Sequence, residues 1–506
     1  MRVKLIQPLA ATRPMDTSLK ARMAPHLGLL TIARIVEDCG HEVVVVNENS
    51  APDIPSAGFD LVGISASIDV LDRARVLDGE YRRLGVPVVV GGIGVTSNPD
   101  LASEMFETIC VGPAEGHWRD VLADAAAGRL RRRYETPMSF SGERLLAPSF
   151  RSVDTRGCLY DNVIAASRGC PFACDFCYNA AVRRHGGGYV HRTVESVASE
   201  VRSKATRHIM FIDDNFIGSP AFTRELLAAL RPMRLKWSAA VSANILDMQD
   251  LLDLMAETGC QSLFIGFESV NPESLSGVGK GQNKVSRFEA LAEALHSRGI
   301  MVNASFVFGL DADDPSTFDR TVEWVVANRI ETVTSHIATP YPGTPFYDRM
   351  RREGRIIDDD LSHYDTAHVV IRPKNMTPEE LYEGYLRVYR EVYTLGNIWR
   401  RLPRARSQLM PYLLFNLFYR KWGAASERLG HLIGFDRVGA LARPGRKGRR
   451  AVVRAQGRGR CGFRISRRVQ GRACGRRREA LRQRLGMARR EGRKALRRID
   501  GERRKA

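Results

Sequence analysis

The sequence predicts an α/β chain in which an N-terminal doubly wound domain is followed by an open (β/α)6 barrel and a small α-rich region. Three observations predict it. Continuous Val- and Ile-rich runs alternate with stretches at helical spacing, the pattern of parallel strands buried on both faces. The chain has 506 residues, 44% of them hydrophobic, so it is too long for one ordinary core and apolar enough for two or three. Gly, Ser, Asp, Asn and Glu collect directly after the apolar runs, at the strand ends where parallel sheets bind ligands. The expected divisions are 1–140 for the first domain, 141–161 for a linker, 162–345 for the barrel, 346–435 for a helical cap and 436–506 for a disordered Arg-rich tail.

In the first domain, the strand Val3–Gln7 precedes a helix over 28–36 that Gly40 ends. Further strands are expected at 42–46, 61–65, 88–92 and 108–112, with Pro87 standing where a strand start tolerates proline. Ser65, Gly91, Gly92 and the turn Gly112-Pro113-Ala114-Glu115-Gly116 then fall at carboxyl ends, which makes the domain Rossmann-like with its ligand loops on one edge. The Gly-x-Gly-x-x-Gly dinucleotide fingerprint is missing after the first strand, and a regulatory module without ligand is the plain alternative.

A connector rich in Pro, Ser and Arg leads to six strand candidates, at 162–168, 208–213, 236–241, 262–267, 302–308 and 332–337, with amphipathic stretches between them. The first runs into Cys170-Pro171-Phe172-Ala173-Cys174-Asp175-Phe176-Cys177. Three thiolates at C-x3-C-x2-C suit a cluster in which one iron stays open for a substrate. A structural zinc site wants four closed ligands, commonly in two pairs, and no second pair is present. Three small buried thiols would require coincidence at two spacings.

Polar groups recur at the following strand ends: Asp213-Asp214-Asn215, Ser242 with Asn244, Glu268-Ser269, Asp311 and Thr339–Pro345. Each alone is compatible with a helix cap or a turn. Gly277-Val278-Gly279-Lys280-Gly281 fails the Gly-x4-Gly-Lys-Ser/Thr spacing and follows no strand, so a flexible loop is expected there.

Beyond the barrel, 368–374 reads as a strand. A helix follows with Thr377 as N-cap, Pro378 at N1 and Glu380 at N3. Leu409–Trp422 is too short to span a bilayer and suits either packing against the barrel or an interfacial helix. The net charge of +20 resides in residues 441–506, where 23 Arg and 3 Lys face four acidic residues for a net +22. The other 440 residues carry −2 and show no footprint for specific nucleic-acid binding. The tail is expected to be disordered, a contact for anionic lipid or nucleic acid, or the product of a shifted reading frame; its Cys461 and Cys474 have no partner motif. Nine cysteines without a secreted-type framework, and no signal-peptide core, predict a cytoplasmic protein that is soluble or peripheral at the inner face of the membrane.

At Cys170, Cys174 and Cys177, with the aromatic Phe176 before the last cysteine, the chain resembles the radical S-adenosylmethionine (SAM) superfamily. The resemblance implies a 4Fe–4S cluster on these three residues, whose open iron binds SAM and whose electron, from a donor such as flavodoxin or ferredoxin, cleaves SAM to a 5′-deoxyadenosyl radical. It also implies that Phe176 and Tyr178 lie against the adenine, Asp213 and Asp214 near the methionine moiety, and Ser242 and Glu268 near the ribose. Pro25–Leu30, Gly91-Gly92 and Gly112–Gly116 resemble the cobalamin-binding domain of class B members, which implies corrin contacts from Ser65, Gly91, Gly92 and Glu115. Where that family has Gly-Glu-Gly-Glu, this chain has Gly112-Pro113-Ala114-Glu115-Gly116. Asp-x-His-x-x-Gly is missing, so none of His26, His41 and His117 is expected to ligate cobalt. The region from 368 through Tyr389 resembles hopanoid methylases and their relatives.

The function these resemblances imply is cobalamin-dependent methylation of an unactivated carbon on a small or lipid-like biosynthetic intermediate. Ring contraction or oxidative cyclisation without methyl transfer is the alternative with the same cofactors. An RNA-modifying protein and a non-enzymatic carrier are disfavoured, the first by the neutral body and the second by the open-iron ligand count.

Overall fold

The computed structural model describes residues 1–10, 24–137, 141–153, 158, 160–204 and 206–419. The tail expected over 436–506, with Cys461 and Cys474, lies outside them, as does Trp422.

The first sheet has six parallel strands, β1 (Arg2–Gln7), β2 (Glu42–Asn47), β3 (Leu61–Ser65), β4 (Val88–Gly91), β5 (Ile109–Val111) and β6 (Arg133–Glu135), in the order β2-β1-β3-β4-β5-β6. The order reverses at β1, which opens a crevice at the carboxyl ends of β1 and β3. Val3, Leu5, Leu61, Val62, Val88 and Val90 are fully buried, as strands covered on both faces must be. β6 was not expected, because Arg133-Tyr134-Glu135 buries only Tyr134 and leaves two charged edge residues in solvent.

The second sheet is parallel and follows chain order, β7 (Val163–Ile164), β10 (His208–Phe211), β11 (Lys236–Val241), β12 (Cys260–Glu268), β13 (Met301–Phe308) and β14 (Thr332–Ile337). The strand expected over 162–168 is interrupted. After β7 the chain leaves the sheet, and β8 (Ser167–Arg168) pairs antiparallel with β9 (Val190–His191). The break lies at Ala165-Ala166, where Asp213 binds the freed backbone and turns the chain toward the cysteines.

The exposed edge of β14 is covered by the Pro378–Val392 helix, whose N-terminus carries the expected capping box of Thr377 and Glu380. Tyr389 Oη accepts from Ser335 N (2.8 Å) and donates to Ser335 O (3.1 Å). Tyr393 Oη does the same with Val333 N (3.0 Å) and O (2.9 Å). Four residues of helix rise about as far as two of strand, so an i, i+4 pair of tyrosines matches alternate residues of an edge. Arg401, fully buried, donates to Ile330 O, Glu331 O and Val392 O just beyond.

The strand expected over 368–374 is a single bridge, Ile356 to Ile371. Asp365 captures the amides of Ala367 and His368, and Pro373 has no N–H to extend a ladder. The apolar stretch from Leu409 lies within a helix, Arg406–Tyr419. One face docks through Gln408, Tyr412 and Asn416; Met410, Leu414 and Leu417 on the other face are exposed. Among the described residues, no helix is long and apolar enough to cross a membrane.

The two sheets share packing. Ile64, Val90 and Val111 of the first belong to one apolar cluster with Val307, Leu310 and Ala338 at the ends of β13 and β14, and with Tyr364 and Ile371. The carboxyl ends of both sheets are thereby brought to the same region.

Candidate active site

The cysteine loop is bent by local backbone bonds. Cys177 N donates to Cys174 O (3.0 Å) and Ala180 N to Cys177 O (2.9 Å), and Cys177 is the N-cap residue of the Tyr178–Arg184 helix. Gly169 enters the loop with φ 75°; a Cβ there would stand 2.2 Å from Gly188 O, so only glycine lets these chains meet. Arg183 ties the loop down from inside the helix by donating to Cys170 O (3.0 Å) and Pro171 O (2.5 Å).

All three thiols are free. Burial pushes the Cys170 thiol up and the Cys177 thiol up to about 12, and the neighbouring cysteines add to both shifts. Cys170 and Cys177 therefore hold their protons at neutral pH, and binding of iron would release them. Hydrogen bonding to Asn215 and the Phe172 amide limits the rise at Cys170, and the Asn179 amide does so at Cys177. One N–H donor points at a sulfur: Gln282 Nε2 lies 3.5 Å from Cys174 Sγ. Among the described residues, no three His, Cys, Asp or Glu side chains are grouped to hold a single ion. A cubane asks for something else, since each thiolate holds a different iron.

The strand-end residues divide into two kinds. Asp213 is 3% exposed, and its carboxylate accepts from Ser167 N (2.5 Å), Ser167 Oγ (2.5 Å) and Ala166 N (3.3 Å). Burial raises it to about 6 against those donors. It anchors the entry to the cysteine loop. Asp214, by contrast, is exposed and accepts from the Tyr178 hydroxyl. Asn215 and Asn244 hold Ser242 from both sides. Asp311 forms ion pairs with Arg355 (2.8 Å) and Lys374 (3.0 Å) and so belongs to the C-terminal packing. Phe176 packs against the shared apolar cluster, with the Lys280 ammonium 5.9 Å from its ring centre.

The loop expected to be flexible, 277–281, is instead tied to the cysteine loop. Val278 O accepts from Asp175 N (3.1 Å), and Arg349 holds Gly277 O (2.8 Å). Lys280 forms a buried ion pair with Glu268, a non-glycine residue at φ 67° that ends β12. Asn283 Nδ2 donates to Gly266 O (2.8 Å) and Phe267 O (2.9 Å). Lys280, Gln282 and Asn283 were missed in the sequence because their partners are far away in the chain. The one available signal was a lysine and two amides inside a Gly-rich segment.

A cavity of about 1060 Å³ opens at the carboxyl ends of the first sheet, lined by Ser65, Gly91, Gly92 and Glu115 and also by Arg168 and Tyr178 from beside the cysteines. Gly92, at φ 102°, packs so tightly on β3 that a Cβ would come 2.7 Å from Ala66 O. Glu115 makes a bidentate pair with Arg168 (2.7 and 2.9 Å), which joins a loop of the first sheet to the strand that enters the cysteine loop. His26 Nδ1 accepts from Leu29 N as the helix cap, so its proton sits on Nε2, beside Ser65 Oγ. His117 Nδ1 meets Thr136 Oγ1 (2.9 Å), and burial lowers its imidazole to about 4; His41 Nδ1 lies 3.3 Å from the N-terminal amine.

The radical SAM superfamily model matches residues 164–325, a span that begins in β7 and contains the cysteine loop and the strand ends through β13. The chain carries a radical SAM domain over these residues. A domain of unknown function matches residues 344–415. Bacteriochlorophyllide d C-12(1)-methyltransferase of Chlorobaculum tepidum is 29% identical over 431 residues, covering 82% of this chain and 93% of the relative. Hopanoid C-2 methylase of Rhodopseudomonas palustris is 27% identical, covering 69% and 68%. Among solved structures, the radical SAM methyltransferase TsrM from Kitasatospora setae, with cobalamin and a 4Fe–4S cluster bound, shares the fold with a TM-score of 0.58 at 18% identity, covering 80% of this chain and 89% of that one.

Proposed function

We propose that this radical SAM protein uses a 4Fe–4S cluster and cobalamin to methylate an unactivated carbon of a small or lipid-like biosynthetic intermediate. The observation that carries the proposal is the single cavity reached by Tyr178 and Arg168 from the cysteine side and by Ser65, Gly91, Gly92 and Glu115 from the first sheet. The residues present fit both groups: three free thiols in one loop, one of them with an N–H donor at its sulfur, for the cluster, and a large cavity with a close-packed glycine floor for the corrin. When bound, the cluster supplies the electron that cleaves SAM, and the corrinoid carries the methyl group.

The chain's own residues provide orientation. Cys170, Cys174 and Cys177 would hold the iron, the Ser242 hydroxyl and the Glu268–Lys280 pair stand at strand ends of the same sheet, and Asp214 fixes the Tyr178 ring at the cavity. The Glu115–Arg168 pair fixes the corrin loop to the cluster loop, so the two sites keep one separation through turnover. We read residues 1–140 as the corrin domain, 141–161 as a linker, 162–345 as an open (β/α)6 barrel and the described part of 346–435 as its cap. A flavodoxin or ferredoxin is the class of donor required. Exposed Trp399 (73%), Met410 (62%) and Leu414 (54%) support contact with a bilayer surface, where lipid-like substrates reside.

The methyltransferase relative aligns over 82% of the chain, whereas the anaerobic magnesium-protoporphyrin IX monomethyl ester cyclase of Cereibacter sphaeroides aligns over 45%, which favours methyl transfer over cyclisation. The test is anaerobic reconstitution with cobalamin and methyl-labelled SAM, incubated with lipid and pigment extracts. A product heavier by one CH2 unit and carrying the label is expected. Cleavage of SAM with a product of unlabelled, unchanged carbon count would replace methylation by the cyclisation reading, and no cleavage at all would refute both.

A further inference from the structure

The segment Val278–Asn283 reaches the cysteine loop from a distant part of the chain and touches it at two adjacent residues. Val278 O accepts from Asp175 N at 3.1 Å, and Gln282 Nε2 lies 3.5 Å from Cys174 Sγ. The position of Gln282 is not loose. Its neighbour Asn283, 6% exposed, is locked onto the backbone of β12 by two bonds, and Lys280 is paired with Glu268 at the end of the same strand. Cys174 is the most buried of the three cysteines and is the one served by a side chain from this segment. From this geometry we propose that Gln282 sets the reduction potential of the cluster through an N–H···S bond to Cys174. The proposal rests on the reading of Cys170, Cys174 and Cys177 as cluster ligands.

The physical reason is charge. One-electron reduction adds a negative charge to the cluster and its thiolates, and a donor aimed at a ligand sulfur stabilises the reduced form more than the oxidised one. The bond therefore raises the potential and eases electron entry from the external donor. Asn215 also influences Cys170, but its amide is bonded to Ser242, so its removal would mix two effects. Gln282 is half-buried, and substitution there leaves the Asn283 and Lys280 anchors in place.

The experiment is a redox titration of the reconstituted full-length chain, without SAM, in which the reduced cluster is followed by electron paramagnetic resonance. Gln282→Leu, which removes the donor, is expected to shift the reduction equilibrium about tenfold toward the oxidised form, about 59 mV for one electron. Gln282→Glu has the same shape, adds a negative charge and is expected to shift it further; it carries the measurement if Gln282→Leu fails to take up iron. Gln282→Lys restores an N–H donor and should return the midpoint to at least the wild-type value. Unchanged midpoints in both Gln282→Leu and Gln282→Glu would overturn the proposal. So would an equal fall in Lys284→Ala, an exposed neighbour, since that would trace the effect to the segment and not to the bond. Retention of the cluster by the triple alanine variant of the cysteines would instead overturn the ligand assignment.

Discussion

Replacing Lys280 by Met should destabilise the second sheet by about 3 kcal/mol, and replacing Glu268 by Gln in the same chain should restore most of it. The two side chains are each 9% exposed, and the ammonium is paired with the carboxylate at the strained end of β12. Removing one member of a buried ion pair costs about 3–5 kcal/mol, because the other charge is left without compensation; partial access to water places this pair at the low end. Removing both charges with shapes preserved is close to neutral. For a sheet domain of this size, each kcal/mol moves the thermal midpoint by about 2–4 °C, so Lys280→Met should melt about 6–12 °C earlier in calorimetry and the double variant within about 4 °C of wild type. Because Lys280 sits in the segment that holds Asp175, the single variant should also lose iron faster on chelation than the double. A loss below about 1 kcal/mol in Lys280→Met, or a double variant no more stable than the single, would show that the pair contributes little and that the segment is held by Asn283 alone.

Three further outcomes are expected. The Cys170/Cys174/Cys177→Ala triple variant should lose the visible absorbance of the reconstituted cluster and all cleavage of SAM while its far-ultraviolet circular dichroism is unchanged, because the three thiols lie in a loop that ends no core strand. Tyr389→Phe and Tyr393→Phe should each lower stability by about 1–3 kcal/mol, since each leaves an N–H and a carbonyl of β14 unpaired behind a helix; equal melting of wild type and both variants would rule out the edge-covering role. Asp313, 1% exposed and bound by Ser274 Oγ, Gly309 N and Leu310 N, has its carboxyl pushed up to about 6 by burial. A raised folded value means that the native state binds this proton more tightly, so the contribution favours folding below about pH 4 and is lost as pH rises through about 6. Asp313→Asn should remove roughly 3 kcal/mol of pH dependence across that window, measured as thermal midpoints from pH 4 to 7; parallel curves for the two proteins would contradict it.

The fold was legible wherever apolar periodicity set it. Lys236–Val241 and Thr332–Ile337 are strands with the expected bounds, and Thr377, Pro378 and Glu380 cap their helix as read. Each depends on residues a few positions apart. The misreadings share the opposite property. Charged β6 is a strand because β5 offers it an edge, and 368–374 is not one because Asp365 and Pro373 deny it a ladder. The spacing of the cysteines was legible for the same local reason as the helix cap, since residues a few positions apart are brought together by the turn that carries them.

What the sequence could not display is the partnership of residues that serve the site from elsewhere. Glu115, expected to touch a cofactor, lines the cavity and has both oxygens engaged by Arg168, 53 positions on. Asp213, expected near the methionine moiety of SAM, holds the backbone of Ala166 and Ser167. In each case the side chain ties down a loop at a strand end through a partner that no local signal in the sequence displays. A parallel sheet leaves loops at its carboxyl ends without ladder partners, and every such loop must satisfy its backbone from side chains. The same strand ends that collect catalytic groups therefore collect anchors of identical chemistry. Asp213 and Asp214 make the distinction concrete: adjacent carboxylates, one sealed on three donors and one exposed beside Tyr178, and only the second is free to change partner when the cavity fills.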